Sequence, residues 1–194
     1  MSKGKIVIIS GPSGSGKTTL HKKLLLSRRL KGKLVKSISA TTRPRRLGER
    51  EGRDYLFLTQ KEFLKKRKAG YFLEWQKVFD SYYGTPKQAV LRLLKRGRNV
   101  LLCIDVKGAR VVERQFPDAV KIFIRAPSLA VLKKRLQKRG SETKADLKLR
   151  LAIARREMLE EKNYNYVVMN NNLPKALRDL ESVISFEIQK GRKK

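Results

Sequence analysis

A glycine-rich turn that follows directly on an apolar run constrains this chain more than any other feature: it is GPSGSGKT, at residues 11–18. The preceding KIVIIS is typical of a buried strand, and the following TTLHKKLLL has the pattern of a helix. Glycines let successive backbone N–H groups curl around a phosphate chain, and the helix N-terminus adds its positive end. The turn therefore predicts binding of a nucleoside triphosphate, with Lys17 reaching its phosphates and the Thr18 hydroxyl coordinating Mg²⁺.

Short apolar runs with helical segments between them predict an α/β fold, in which a parallel sheet has helices on both faces. The runs are KIVIIS, NVLLCIDV, VKIFIRAP and YNYVVMN. Between the first two, LVKSIS, DYLFLT and GYFLEWQKVF are typical of short strands and predict a small β-rich insertion at residues 36–90. A helical pattern predicts a lid-like segment at 128–157. We expect a single domain spanning 1–194, with its core in residues 1–35, 91–127 and 158–194.

The chain is strongly basic, with 48 Lys and Arg against 17 Asp and Glu and a formal net charge of +31. These cations occur in pieces along the whole length, so we expect most of them on solvated helix faces; an RNA or membrane patch is the alternative. The single cysteine, Cys103, can form no internal disulfide. No apolar run is long enough for a signal-peptide core or a membrane span, and we expect a cytoplasmic protein.

Residues 37–55, SISATTRPRRLGEREGRDY, have the composition of an anion site. Arg43 and Arg46 lie in one turn-rich segment beside Ser39, and Tyr55 begins the following strand. Guanidinium groups match phosphate oxygens in pairs, and hydroxyls fill the remaining positions. The interleaved carboxylates would repel a nucleic-acid backbone. These residues favour a pocket for one small phosphate monoester, with a solvated loop and a nucleic-acid groove as alternatives.

The chain resembles the guanylate kinases across essentially its full length. The resemblance is carried by GPSGSGKTT, SATTRPRRLGEREGRDYLF, FLEWQKVFDSYYGTP, CIDVKGA, LKKRLQKRGSET with LKLRL, and YVVMNNNL. The second and third segments discriminate this family from other proteins with the same glycine-rich loop. The resemblance implies a P-loop core, a module for the nucleoside monophosphate and a helical lid. It also implies the reaction of ATP with GMP to give ADP and GDP, with Mg²⁺.

By matching positions, the resemblance also implies a set of site residues. ATP would be bound by Gly11, Pro12, Ser13, Gly14, Ser15, Gly16, Lys17, Thr18 and Thr19. The GMP phosphate would be bound by Ser39, Arg43, Arg46, Tyr55 and Tyr83, and the guanine by Glu74, Thr85 and Asp105. Catalysis would use Lys17 together with Arg135, Arg139 and Arg150, which close over the phosphates. The chemistry of guanine suits Glu74, because an ionised carboxylate can accept hydrogen bonds from both N1–H and the N2 amino group. From the residues alone, an outward-facing strand carboxylate is the favoured interpretation of Glu74.

Three functions stay open at the level of sequence. The first is an active guanylate kinase, the second a guanylate-kinase-like binding domain without turnover, and the third a basic RNA-associated protein on the same fold. Non-specific RNA association is compatible with each of them, because the positive charge is dispersed. One departure from the family pattern concerns Cys103, since the family usually has an acidic residue two positions before Asp105.

Overall fold

A computed structural model describes residues 4–138 and 144–190. Their elements, in chain order, are β1 Ile6–Ser10, α1 Lys17–Leu26, β2 Leu34–Lys36, β3 Ala40–Thr41, β4 Leu56–Phe57, α2 Gln60–Lys68, β5 Phe72–Val78, β6 Ser81–Pro86, α3 Lys87–Lys95, β7 Asn99–Cys103, α4 Val106–Gln115, β8 Val120–Arg125, α5 Leu129–Gln137, α6 Lys144–Met158, β9 Tyr166–Met169 and α7 Leu173–Lys190. A 3-10 helix, Leu159–Asn163, precedes β9.

The main sheet has five parallel strands in the order β2-β7-β1-β8-β9. Because successive side chains of a strand point to opposite faces of the sheet, β1 contributes side chains to both faces. Ile9 packs with Leu24 of α1 and Ile184 of α7 on one face. Ile8 packs with Val112 of α4 on the other face. The predicted α/β class, with a parallel sheet between helices, is confirmed.

The small sheet is formed by β3, β4, β5 and β6, in the order β4-β3-β6-β5. Its β5–β6 hairpin is antiparallel, whereas β3 pairs in parallel with β4. Phe63 of α2 stacks on Phe72 at a centroid distance of 4.4 Å and on Tyr82 at 5.3 Å. The capping box of Thr59 and Glu62 fixes the start of α2. This aromatic cluster gives the small sheet a core of its own, separate from that of the main sheet.

One strand prediction is wrong in its placement. LVKSIS was expected to be a strand of the β-rich insertion, but it divides between the two sheets. Leu34–Lys36 pairs with β7 in the main sheet, and Leu34 is buried in the core between that sheet and α1. The small sheet begins only at Ala40, which pairs with Leu56 and Gly84. The chain therefore crosses between the sheets at residues 37–39, just before the arginine-rich segment.

The helical segment predicted at 128–157 contains α5 and α6. These two helices pack on each other through Leu132 and Ala154. The residues between the two helices, 139–143, lie outside the described residues. Among residues 4–138 and 144–190, no helix is long and apolar enough to cross a membrane.

Candidate active site

The glycine-rich loop lies between the end of β1 and the start of α1, as the sequence predicts. Gly11 has φ 140° and Gly16 has φ 94°, a region of backbone conformation that favours glycine. A Cβ atom on Gly11 would lie 2.4 Å from the carbonyl oxygen of Ile124. One on Gly16 would lie 2.2 Å from Nδ2 of Asn170. Both glycines are therefore required by packing as well as by backbone geometry.

Two side chains from distant parts of the chain brace this loop. Asn170, which is buried at the end of β9, donates from Nδ2 to the carbonyl oxygen of Ser15 at 2.7 Å. Arg135 of α5 donates to the carbonyl oxygen of Asn170 at 2.9 Å and to that of Gly14 at 3.4 Å. Arg135 was predicted to close over the phosphates, and the structure places it against the backbone of the phosphate loop. The brace fixes the orientation of the peptide units on which phosphate binding depends.

Lys17 and Thr18 begin α1, directly after the loop. The Lys17 ammonium donates to the carbonyl oxygen of Gly11 at 2.6 Å and to that of Pro12 at 3.0 Å. Thr18 and Thr19 are exposed at the first turn of the helix. The structure thus brings the predicted ATP-binding residues together in one continuous turn, with Lys17 folded over it.

Glu157, near the end of α6, also lies close to the loop, although no sequence pattern singles it out. Its carboxylate lies near the backbone of Ser13 and near the Lys17 ammonium. Burial raises the pKa of Glu157 to about 7, against the opposing influence of the Lys17 charge. In a helix as charged as KADLKLRLAIARREM, one Glu cannot be recognised by pattern. Only the packing of α6 shows that it meets the phosphate loop.

Arg43 and Glu49 form a close ion pair inside the arginine-rich segment. Nη2 of Arg43 lies 2.8 Å from Oε1 and 2.9 Å from Oε2 of Glu49, and the backbone N–H of Arg46 donates to the same carboxylate at 2.9 Å. The Arg43 guanidinium also lies over the ring of Tyr55, at 5.6 Å from its centroid. Glu49 therefore holds Arg43 in place, while the Arg46 side chain extends into solvent.

The other two carboxylates of the segment also have structural partners. Glu51 accepts a hydrogen bond from the backbone N–H of Phe57 at 3.0 Å. Asp54 is buried, accepts from the backbone N–H of Arg50 at 3.0 Å and pairs with Lys22 of α1 at 3.2 Å. The hydrogen bond from Arg50 and the Lys22 pair hold the pKa of Asp54 well below its usual range, against the effect of burial. The acidic residues thus organise the loop and fasten it to the main body.

Two of the residues predicted to bind phosphate through hydroxyl groups, Tyr55 and Tyr83, lie next to Arg43. Tyr55 and Tyr83 meet edge to face, with ring centroids 6.2 Å apart. The Ser39 carbonyl accepts from the backbone N–H of Leu56 at 2.9 Å, which aligns the two sides of the loop. Lys36, which the sequence did not suggest, donates to the carbonyl oxygen of Asp54 at 2.9 Å and lies over the Tyr55 ring. This corner of the small sheet therefore combines cations with phenol hydroxyls, as a phosphate site requires.

Glu74 and Thr85 face each other across the β5–β6 hairpin, and both side chains are buried. The Thr85 hydroxyl donates to Oε1 of Glu74 at 2.6 Å. A Cβ atom on Gly108 would lie 2.6 Å from Oε2 of Glu74, so the first turn of α4 packs against this carboxylate. Burial raises the pKa of Glu74 to about 7. Glu74 is therefore not the outward-facing strand carboxylate of the alternative interpretation.

Asp105 caps α4, its Oδ1 accepting from the backbone N–H of Gly108 at 2.7 Å. Burial raises the pKa of Asp105, and the Asp105 charge in turn raises that of Glu74, so the two carboxylates are electrostatic neighbours. Asp105 is held at the end of β7, between the phosphate loop and the small sheet. Cys103, two residues before Asp105, is close to the charged groups of Lys17 and Lys36. Burial raises the pKa of its thiol.

The third group of predicted site residues is carried by the helices α5 and α6. Arg150 of α6 lies over the ring of Phe79, with its guanidinium carbon 4.3 Å from the centroid. Phe79 belongs to the β5–β6 hairpin, so Arg150 reaches the small sheet. Arg139, the remaining predicted catalytic arginine, lies outside the described residues.

A glycine-rich phosphate loop on a parallel sheet, together with a second small sheet that carries a buried carboxylate, defines a P-loop enzyme of the nucleoside monophosphate kinase class. The guanylate kinase family model matches residues 3–187, and the chain belongs to that family. It is 41% identical to the guanylate kinase of Carboxydothermus hydrogenoformans over 193 residues, which are 100% of this chain and 93% of that protein.

Two further relatives extend the comparison. Identity to the guanylate kinase of Coxiella burnetii is 44% over 187 residues, covering 96% of this chain and 89% of that protein. The crystal structure of guanylate kinase from Anaplasma phagocytophilum superposes with a TM-score of 0.77 at 31% identity, covering 96% of this chain and 87% of that one. The resemblance found in the sequence is confirmed, and the match extends through both sheets and the helical segment.

Proposed function

We propose that this chain transfers the γ-phosphoryl group of ATP to GMP, giving ADP and GDP. The observation that carries the proposal is the buried Glu74 carboxylate, which lies between the Thr85 hydroxyl and the start of α4, close to Asp105. A buried carboxylate without a cation at its side needs hydrogen-bond donors. Guanine offers two on one edge, the N1–H and the N2 amino group, whereas adenine presents an acceptor at N1.

The residues around the arginine-rich segment would bind the phosphate of GMP. Arg43 is held in place by Glu49 and has further N–H donors to offer a phosphate, and Arg46 is exposed beside it. Tyr55, Tyr83 and Ser39 would add hydroxyl donors. Burial raises the pKa of Tyr55 to about 12, so its phenol keeps the proton that it would donate. This set recognises phosphate and carries no preference among bases, so base selection is left to Glu74, Thr85 and Asp105.

On the donor side, the loop from Gly11 to Thr19 would bind the ATP phosphates through its N–H groups and the Lys17 ammonium. Lys17 would exchange the loop carbonyls for phosphate oxygens. Arg135 would keep the loop in shape, and Arg150 would stabilise the charge of the transferring group. Arg139 would stabilise the same charge. This assignment rests only on the family position that Arg139 matches.

The residues present fit a magnesium ion held mainly by substrate. Within the described part of the chain, no three His, Cys, Asp or Glu side chains cluster as metal ligands. Mg²⁺ characteristically uses few protein ligands and binds through phosphate oxygens and water. Thr18 would supply the hydroxyl ligand. When bound, Mg²⁺ would neutralise charge on the β and γ phosphates.

The two alternative functions receive no support from the geometry. A scaffold domain without turnover would not need the phosphate loop, yet Gly11, Gly16 and Lys17 are intact and the loop is braced by Asn170. Non-specific RNA association stays a prediction from the charge of +31, and so does a cytoplasmic location.

A coupled assay of ADP release tests the proposal. Purified protein is supplied with ATP, Mg²⁺ and one of GMP, AMP, UMP or CMP, and we expect turnover with GMP at a kcat/KM at least about 100-fold above the others. Lys17→Ala should abolish turnover while preserving the melting temperature. Lys23→Ala, which removes the same charge from an exposed position of the same helix, is the matched control. Equal use of all four acceptors, or full activity of Lys17→Ala, would exclude the proposed reaction.

A further inference from the structure

The β5–β6 hairpin turns through a residue that is poorly suited to its backbone. Val78 pairs with Ser81, so the turn consists of Phe79 and Asp80. Phe79 has φ 54°, and among the residues that the structure describes it is the one non-glycine with positive φ. Two-residue hairpins with positive φ at the first turn position normally have glycine, asparagine or aspartate there. A bulky side chain in this conformation costs free energy, so its presence needs a reason.

The contact between the Phe79 ring and Arg150 explains why a bulky residue is present at this position. The guanidinium carbon lies 4.3 Å from the ring centroid, well within the range of a cation–π interaction. The hairpin belongs to the small sheet, whereas Arg150 lies on α6, which packs on α5. The contact therefore joins the proposed acceptor module to the helical segment that carries the predicted catalytic arginines.

The chemistry of this contact is compatible with phosphate binding by the same arginine. A ring under the flat face of a guanidinium does not itself use the in-plane N–H donors, and these are the groups that match phosphate oxygens. A carboxylate at the same place would pair with those donors and compete with phosphate. An aromatic residue can thus orient Arg150 without occupying the groups that it needs.

We propose that Phe79 is a positioning residue, which holds the Arg150 guanidinium in the orientation required for phosphoryl transfer. The proposal rests on the function proposed above. In this role, the tip of the β5–β6 hairpin would connect the proposed GMP-binding sheet to the helices α5 and α6. Phe79 itself touches neither nucleotide in this role, and its effect passes through Arg150.

Three substitutions separate this role from a structural one. Phe79→Gly removes the ring and also the backbone strain, Phe79→Trp keeps an aromatic face, and Phe79→Leu keeps the strain without the face. We expect kcat to fall about 5- to 20-fold in the Gly and Leu variants and to stay within about twofold in the Trp variant. KM for GMP should change less than kcat. The melting temperature of Phe79→Gly should equal or exceed that of the wild type, which a purely structural role would not give.

A double-mutant comparison and a chemical probe complete the test. In an Arg150→Ala background, Phe79→Gly should have almost no further effect on kcat, because the partner is already gone. Phenylglyoxal should modify Arg150 faster in Phe79→Gly than in the wild type, while exposed Arg155 of the same helix reacts at an unchanged rate. This labelling does not depend on turnover, so it distinguishes failure of the inference from failure of the proposed reaction. An unchanged kcat, additive effects of the two substitutions, or unchanged labelling of Arg150 would each overturn the role of Phe79.

Discussion

The Thr85 hydroxyl donates a 2.6 Å hydrogen bond to Oε1 of Glu74, and both side chains are buried. This bond uses one carboxylate oxygen and leaves acceptor capacity on the other, beside Gly108. Burial raises the pKa of Glu74 to about 7, so its charge changes close to neutral pH. Binding of guanine should therefore depend on pH in a way that binding of phosphate alone does not.

We predict that GMP binds more tightly as pH rises from about 6 to about 8, because only the ionised Glu74 can accept from both guanine donors. Below the pKa, affinity should improve up to about tenfold per pH unit and then level off. Calorimetric titration with GMP at several pH values measures this. Glu74→Gln should weaken GMP binding about 10- to 100-fold at pH 8 and narrow the GMP:AMP ratio of kcat/KM.

The second ionisation of the GMP phosphate also occurs in this range, and the Gln variant serves as the control for it. The phosphate contribution is common to both proteins, so the difference between their profiles belongs to Glu74. An identical pH profile in the two proteins would contradict the role of Glu74 in base recognition.

The raised pKa of Glu74 also leads to a prediction about the stability of the folded protein. The folded protein holds the Glu74 proton more tightly than the unfolded chain does, since burial raises the folded pKa above the ordinary value of 4.5. This contribution is fully present below pH 4.5 and is lost as pH rises through about 7. The melting temperature of Glu74→Gln minus that of the wild type should therefore increase from pH 5 to pH 8. Glu157 titrates in both proteins and cancels in this difference.

The pairing of Arg43 with Glu49 predicts how the phosphate site responds to substitution. Arg43→Ala should lower kcat/KM about 100-fold for GMP and for AMP alike, because phosphate contacts are common to both acceptors. Exposed Arg45, two residues away, provides the matched control, and Arg45→Ala should change kcat/KM by less than about threefold. Steady-state kcat/KM values measured with GMP and with AMP test this prediction. A selective loss of GMP use in Arg43→Ala would instead place Arg43 at the base.

The parts of the protein that could be predicted from the sequence are those whose determinants lie within a short stretch of chain. The phosphate loop could be recognised because Gly11, Gly16 and Lys17 stand at fixed spacing between a strand and a helix, and all of its determinants are local. The parallel strands were visible as apolar runs. LVKSIS was misplaced because its six residues contain a short core strand and the crossover to another sheet, and periodicity cannot resolve so short a change.

Contacts between distant parts of the chain were not predictable in the same way. Asn170 meets Ser15 across 155 positions, and Glu157 reaches Ser13 only because α6 packs beside the loop. In a chain with 48 Lys and Arg, neither Lys36 nor the Lys22 pair of Asp54 differs in pattern from a solvated surface charge. The carboxylates of residues 37–55, which include Asp54, indicate from sequence only that a nucleic-acid backbone would be repelled, whereas the anchoring of this loop by Asp54 is evident only in the folded structure.

Cys103 supplies a prediction about magnesium. Its side chain lies near Lys17 and Lys36, and a carboxylate there would be stabilised as an anion by both cations. Cys103→Asp should therefore shift the Mg²⁺ dependence of turnover to several-fold lower Mg²⁺, by adding an acidic group beside Asp105 that can bind the water shell of the ion. Cys103→Ser, which changes polarity without adding charge, is the control. Titrations of kcat/KM against Mg²⁺ that coincide for all three proteins would show that the cysteine is neutral in this respect.

The brace between Asn170 and the phosphate loop gives a prediction that separates the two substrates. Asn170→Ala removes the 2.7 Å bond to the Ser15 carbonyl, leaving this acceptor with only the longer 3.5 Å hydrogen bond from Arg135. Because the loop binds phosphates through the orientation of its peptide units, ATP and ADP should both bind about tenfold more weakly. GMP should bind as in the wild type, since its proposed site lies on the small sheet. Asn171→Ala, at the adjacent exposed position, is the control and should leave all three affinities unchanged. Separate calorimetric titrations with ATP, ADP and GMP measure these effects, and a parallel loss of GMP affinity would show that Asn170 supports the whole fold instead of the loop alone.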